Sequence, residues 1–315
     1  MTGQNKIFNI EDFILTGHYS NNNSETILWS TDGVSYNQPD PTKPEVQTIT
    51  VTYQGKTTAF QVQFASTPVC RVVHTDASGT VTYTNYADTT PYTTESPGDG
   101  TGLQKAISEV QEGETIEMLV PNYTCNIGQT VKTNAITITT ADSVGAAATI
   151  TTNSNADMTL FKLNANKVTF KNLYLKNTGG KAASNTQNKQ AIQVPANYGN
   201  LTVAACTIDG FRTNGNLHGS AIGAETGSGD VTITDTTIQN CYGYMSIFYA
   251  SAYGKEHTFT IGGNSVIKDC TSEGWGILVS NHGVSVNITD NTQITGCKLT
   301  GKRTEGGRTE PEGAV

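Results

Sequence analysis

Four segments of this chain align on one another almost without gaps: LTVAACTIDGF (201–211), VTITDTTIQNC (231–241), FTIGGNSVIKDC (259–270) and VNITDNTQITGC (286–297). Each opens with two apolar residues at alternate positions, Leu201/Val203, Val231/Ile233, Phe259/Ile261 and Val286/Ile288. Each continues to one further apolar position, Ile208, Ile238, Ile267 or Ile294, and closes on Phe211, Cys241, Cys270 or Cys297. From Val203 through Ile233 and Ile261 to Ile288 the intervals are 30, 28 and 27 residues. Period-two alternation in short β-branched runs indicates strands with one inward face. A unit of this size cannot bury that face alone, so like must stack on like.

A second strand precedes the motif in each unit: QAIQV around Ile192, SAIGA around Ile222, MSIFYA around Ile247 and GILVS around Leu278. Gly, Asn and Asp between the strands supply turns. The same phase extends upstream through VTFKNLYLKN and AITITT to TIEMLV. Neither the LxxLxLxxN signature of a leucine-rich array nor a recurring Trp-Asp dipeptide is present. The expected architecture is all-β, a right-handed parallel β-helix solenoid over residues 103–300. In front of it Leu103, Ala106, Ile107 and Val110 recur at helical spacing and Gly113 follows as a stop, which predicts a capping helix for the open end of the stack.

Residues 1–66 form a separate β-rich module in this reading, residues 67–102 a hairpin and linker, and residues 301–315 a disordered tail. CRVVHTDASGTVTYTNY reads as two strands around Ser78-Gly79, and ADTTPYTTESPGDGTG as a flexible connector. The regular pattern stops at Cys297 without a cap, and the chain starts without the charged and apolar regions of an export signal. The uncapped far end leads us to expect a segment of a longer protein, which would also account for the missing export signal.

The run from GTGLQKAISEVQEGETI to VTFKNLYLKN resembles the opening of pectin-lyase-like β-helix domains of bacterial surface proteins. Upstream, DFILTGHYSNNNSETI and ITVTYQGKTTAFQVQF resemble strands of bacterial immunoglobulin-like modules, so the resemblance implies a small, trimmed β-sandwich. Together they imply an extracellular or cell-surface location, with polysaccharide or a host surface protein as partner.

Polygalacturonase-like members of such families hydrolyse with grouped aspartates, and glycoside hydrolysis needs two carboxyls facing one bond. The Asn-Thr-Asp-Gly and Asp-Asp elements of those members are missing here, although SNHGVSV with His282 resembles their Gly-His-Gly motif. Pectate-lyase-like members use acid-held calcium and a basic residue as proton acceptor. The nearest set here is Asp209, Arg212, His218 and Glu225, and Asp235, Asp269 and Asp290 read as turn residues. No catalytic residue, metal ligand set or cofactor motif is assigned: the five histidines are single, the six cysteines lack CxxC spacing, and no GxSxG elbow or phosphate loop is present.

A formal charge of −8, with no Lys/Arg stripe interleaved with aromatics, argues against nucleic-acid binding. No apolar run is long enough to span a bilayer. Phe211, Cys241, Cys270 and Cys297 share one inward column, and buried free thiols are expected over disulfides because stacked side chains point the same way. Aromatic crowding in CYGYMSIFYASAYG, with Trp275 one coil later, makes Tyr244, Tyr249, Tyr253 and Trp275 the candidate ligand contacts. The leading expectation is a monomeric, non-catalytic adhesive or structural module. A polysaccharide lyase or glycoside hydrolase working on an outer face is the alternative, and a trimeric fibre a third.

Overall fold

The computed structural model describes residues 10, 13–39, 46–62, 66–152, 157–178, 188–214, 218–225, 227–251, 256–281, 283–300, 304–305 and 308–309. It divides into two compact units, Met1–Ser66 and Thr67–Val315.

In the first unit Leu15–His18 pairs antiparallel with Ser24–Ile27. A separate meander joins Ser35–Tyr36, Gln47–Tyr53 and Lys56–Val62. Its tight turn uses Gln54 at φ 47° and Gly55 at φ 71°, the left-handed pair that matches the twist of a two-residue hairpin. Ile10, Ile49 and Val51 form the buried core, with Leu15, Trp29, Val34, Tyr36, Phe60 and Val62 packed around it.

The second unit is mostly β and forms a β-solenoid. Its first sheet stacks seven parallel strands, from Thr115–Met118 through Thr137–Thr140, Thr169–Lys171, Leu201–Ala204, Val231–Thr234 and His257–Gly262 to Val284–Ile288. A second stack runs from Asn122–Thr124 through Ala148–Thr152, Leu173–Asn177, Thr207–Asp209, Thr237–Gln239 and Val266–Lys268 to Gln293–Thr295. The third runs from Gln129–Val131 through Met158–Leu163, Lys189–Val194, Ile222–Ala224 and Ser246–Ser251 to Gly276–Asn281. A side column, Arg212–Thr213, Tyr242–Gly243, Thr271–Ser272 and Lys298–Leu299, joins it where Arg212 pairs antiparallel with Lys189.

Register follows the sequence repeat. Leu201 sits on Val231, Val231 on Phe259 and Phe259 on Val286, with Val203, Ile233, Ile261 and Ile288 two positions on. Ile208, Ile238, Ile267 and Ile294 stack in the second sheet. The third sheet departs from expectation by one residue: Ile222 is registered with Phe248, not Ile247, and Phe248 with Leu278. Every residue of Ser246–Ser251 is buried, so this strand has no polar face whose alternation could set its phase in the sequence.

Left-handed residues make the corners. Asn172, Ala205, Asp235 and Asp290 have φ between 50° and 57° after strands of the first sheet, and Gly210, Asn240, Asp269 and Gly296 have φ between 54° and 76° after strands of the second. Asn, Asp and Gly tolerate this region with least strain. The Asp235 carboxylate accepts the Asn264 N–H and that of Asp290 the Gly263 N–H, so these acids brace the turn of a neighbouring coil.

The helix spans Thr101–Glu109 and buries Gly102, Leu103, Ala106 and Ile107, the last three joining the same core as Ile116, Ile138 and Phe170. It ends at Val110, whose ψ of 140° is extended, three residues before Gly113. The hairpin Cys70–Thr75 and Val81–Tyr86 forms as read, and it also pairs antiparallel with Thr115–Met118, extending the first sheet. The segment read as a flexible connector is tied down. The Asp88 carboxylate, 5% exposed, accepts the N–H groups of Asp99 and Gly102 and the Tyr123 hydroxyl. Burial raises its pKa, and those three donors work against the rise. Within the segment read as a disordered tail, Thr304–Glu305 pairs antiparallel with Arg308–Thr309.

Candidate functional site

The third sheet and its side column carry the residues with chemistry. Gln190 Nε2 donates to the carbonyls of His218 and Gly219, and the Ser220 N–H donates to the Ser246 carbonyl, which fixes the bend leading into Ile222–Ala224. The Trp275 N–H donates to the Met245 carbonyl one coil on, where Gly276 opens the next strand. These backbone bonds set three rings close to parallel. His218 stacks on Tyr249 with ring centroids 4.2 Å apart and 22° between planes, and on Trp275 at 6.3 Å and 17°.

Tyr249 is 6% exposed, so it is the floor of this shelf, while Trp275 and His218 are partly open to solvent. The Glu225 carboxylate lies 3.6 Å from His218 Nδ1. Flat, partly exposed rings beside a polar group suit the apolar face and hydroxyl edge of a sugar ring.

Of the aromatic candidates, the structure therefore brings together Tyr249 and Trp275. Tyr244 is 44% exposed and makes no ring contact with the shelf among the described residues. Tyr253 lies outside the described residues, as does His282. His218 belongs to the shelf although its sequence context pointed only to acid–base work. It stands in a turn, outside the strand alternation that a repeat displays.

The acid–base set is divided. Asp209 accepts hydrogen bonds from the Tyr174 hydroxyl (2.6 Å), Asn240 Nδ2 (2.8 Å) and Gln239 Nε2 (3.1 Å). Burial opposes its ionisation, but those donors outweigh it and hold its pKa below the ordinary value. Tyr174 responds in the other direction, pushed up to about 12 by burial first and by its bond to Asp209 second. Arg212 is 5% exposed, with its guanidinium 4.2 Å from the Tyr242 ring centroid, and burial lowers its pKa against the opposing charge of Glu273. The carboxylate of Asp209 is thus engaged in the coil-to-coil framework, and His218 and Glu225 serve the shelf.

Beside Tyr242 a cleft of about 360 Å³ is lined by Asn240, Cys241, Asp269, Thr271, Gly296 and Lys298. Cys241 and Cys270 are buried, and Cys297 is partly exposed. All six cysteines are free. Among the described residues no group of three or more His, Cys, Asp or Glu could hold a metal ion, and no helix is long and apolar enough to cross a membrane. No family model, curated protein or solved structure matches the chain.

Proposed function

We propose that the solenoid is a non-catalytic binding module of a secreted or cell-surface protein, and that it holds a sugar ring on the His218–Tyr249–Trp275 shelf. The observation that carries this reading is the near-parallel stacking of His218 on both other rings, with Glu225 at its edge to accept hydroxyl hydrogen bonds. The finer fold reading goes with it: a right-handed, pectin-lyase-like β-helix, the helix Thr101–Glu109 as its cap, and an immunoglobulin-like module in residues 1–66. Burial of Leu103, Ala106 and Ile107 in the solenoid core supports the cap, and the antiparallel meander supports the module. An adhesive role follows from the shelf's place on a repeated, rigid scaffold. A host protein is the other class of partner such a surface would suit.

The test is a panel of chitohexaose, cellohexaose, mannohexaose and polygalacturonate, with and without calcium. Saturable binding to one of them without release of products is expected, and Trp275→Ala should weaken it about tenfold, equivalent to about 1.4 kcal/mol. New reducing ends or unsaturated products would show a glycoside hydrolase or lyase instead. Undiminished binding by Trp275→Ala would remove the shelf from the account.

A further inference from the structure

Charge is distributed unevenly along this chain. From Met158 to Ile208 there is no Asp, Glu or Arg, and six lysines occur: Lys162, Lys167, Lys171, Lys176, Lys181 and Lys189. At the chain's mean density a run of that length would hold about four acidic residues. The rest of the chain has all 27 acidic residues against thirteen basic ones, so a strongly positive stretch is set in a negative protein.

The fold winds this stretch around the solenoid. Lys162 is exposed on the third sheet, between Thr130 and Gln193 in register. Lys167 is exposed at the corner before the first sheet, at φ 59°. Lys171 is exposed at the end of its strand, between Thr139 and Ala204. Lys176, half-buried, lies in the second sheet between Thr151 and Asp209. Lys189 is buried and Lys181 lies outside the described residues. Uncharged neighbours thus flank Lys162 and Lys171 above and below. Among the described residues the ion pairs are Arg71–Glu117, His74–Glu114 and His218–Glu225, and none includes a lysine of this coil.

Asp209, in register beside Lys176, is the acid nearest the belt, and Lys162, Lys167 and Lys171 have no acidic partner among the described residues. Such a surface is electrostatically complementary to a polyanion, whose bound counterions are released on contact. The side chains point to the kind. Lysine acts as a mobile point charge and lacks the planar fork with which arginine grips a carboxylate. Single-stranded nucleic acid would need exposed rings for its bases to stack on. Here Phe161 and Phe170 are buried, and Tyr174 is half-buried with its hydroxyl held by Asp209, so this coil offers no row of exposed rings for successive bases.

We infer that the coil bearing Lys162, Lys167, Lys171 and Lys176 is a docking belt for a base-free, phosphate-bearing linear polymer. Lys162 shares a row of the third sheet with Tyr249, through Gln193 and Gly223, but the inference rests on the lysines and not on the sugar shelf.

The test uses the full chain and long-chain inorganic polyphosphate, followed by calorimetry across about 50 to 300 mM sodium chloride, where screening shortens from beyond 10 Å to well below it. Binding should weaken about tenfold or more over that range. The triple variant Lys162→Glu, Lys167→Glu, Lys171→Glu should lose at least tenfold in affinity with an unchanged thermal midpoint. Lys105→Glu, on the helix, and Trp275→Ala should bind as the parent does. If the triple variant fails to fold, Lys167→Gln and Lys171→Gln alone should each cost a measurable fraction of the affinity. Absence of binding by the parent, or parental affinity in the lysine variants, overturns the belt. Tighter binding of single-stranded DNA than of polyphosphate at equal charge overturns its assignment to a base-free polymer. Loss of glycan binding in Trp275→Ala with polyphosphate binding intact would separate the two sites.

Discussion

The imidazole of His218 lies 4.2 Å from the ring centroid of Tyr249, 22° from parallel, and thereby covers a phenol that is only 6% exposed. A ring can then contribute to binding without touching ligand, by holding flat the ring that does. Tyr249→Leu, which keeps an apolar side chain but removes the ring, should therefore weaken glycan affinity about as much as Trp275→Ala. Parallel titrations of the two variants check this. Parental affinity for Tyr249→Leu would mean that His218 needs no floor.

Stacking predicts a gradient of stability along the repeat. Ile233 is fully buried between Val203 and Ile261, whereas Ile288, its equivalent two coils on, is 50% exposed. Ile233→Ala should cost about 2–5 kcal/mol through lost burial and the cavity left behind. Ile288→Ala should cost less than about 1 kcal/mol. Urea unfolding of the two variants measures the difference, and equal costs would contradict the register.

The thiols give a chemical readout of the same column. Cys241 Sγ lies 3.9 Å from the Ile208 carbonyl and Cys270 Sγ 3.9 Å from that of Ile238, each turned toward the previous coil. Burial raises the pKa of Cys70, Cys125 and Cys206, the last to about 11, so the thiolate that reacts is scarce. The pKa of the Cys297 thiol is raised as well, by its contact with Cys270 first and by burial second, so access rather than thiolate content sets it apart. In the folded protein a thiol-reactive dye should label Cys297 slowly, as the one cysteine that is not buried, and reach the other five only on denaturation. Rapid labelling of several sites under native conditions would show that the core is open.

Asp209 predicts an acid limb. Its pKa is lowered in the folded state, so its contribution to stability is present above its ordinary value of 3.8 and is lost as pH falls below that toward the folded value. Thermal midpoints between about pH 2 and 5 should fall less steeply for Asp209→Asn than for the parent. A steeper fall in the variant would contradict the sign.

The solenoid was legible because its strands alternate: in Val231–Thr234 and Leu201–Ala204 the buried and half-buried positions take turns, and a repeat of that pattern fixes both period and phase. The phase failed only at Ser246–Ser251, buried on both faces. The tethering of the connector was not legible because Thr, Pro and Gly indicate irregular backbone and say nothing of long-range bonds such as those from Gly102 and Tyr123 to Asp88. Gly98 belongs to the same arrangement: at φ 100°, a Cβ there would stand 2.6 Å from both the Asp88 carboxylate and the Tyr123 ring. Two of the shelf's three rings were legible. Tyr249 and Trp275 were marked by aromatic crowding, whereas His218 reaches them through a turn anchored by Gln190, a contact 28 residues distant that no local pattern encodes.

The sugar shelf is tested most directly by nuclear magnetic resonance with ring-labelled histidine and tryptophan, titrated with whichever of the four glycans binds. The ring signals of His218 and Trp275 should shift along one saturation curve, with the dissociation constant found for the whole protein, while His74 and His257 stay in place. Glycan binding that leaves the His218 and Trp275 signals unmoved would contradict the account.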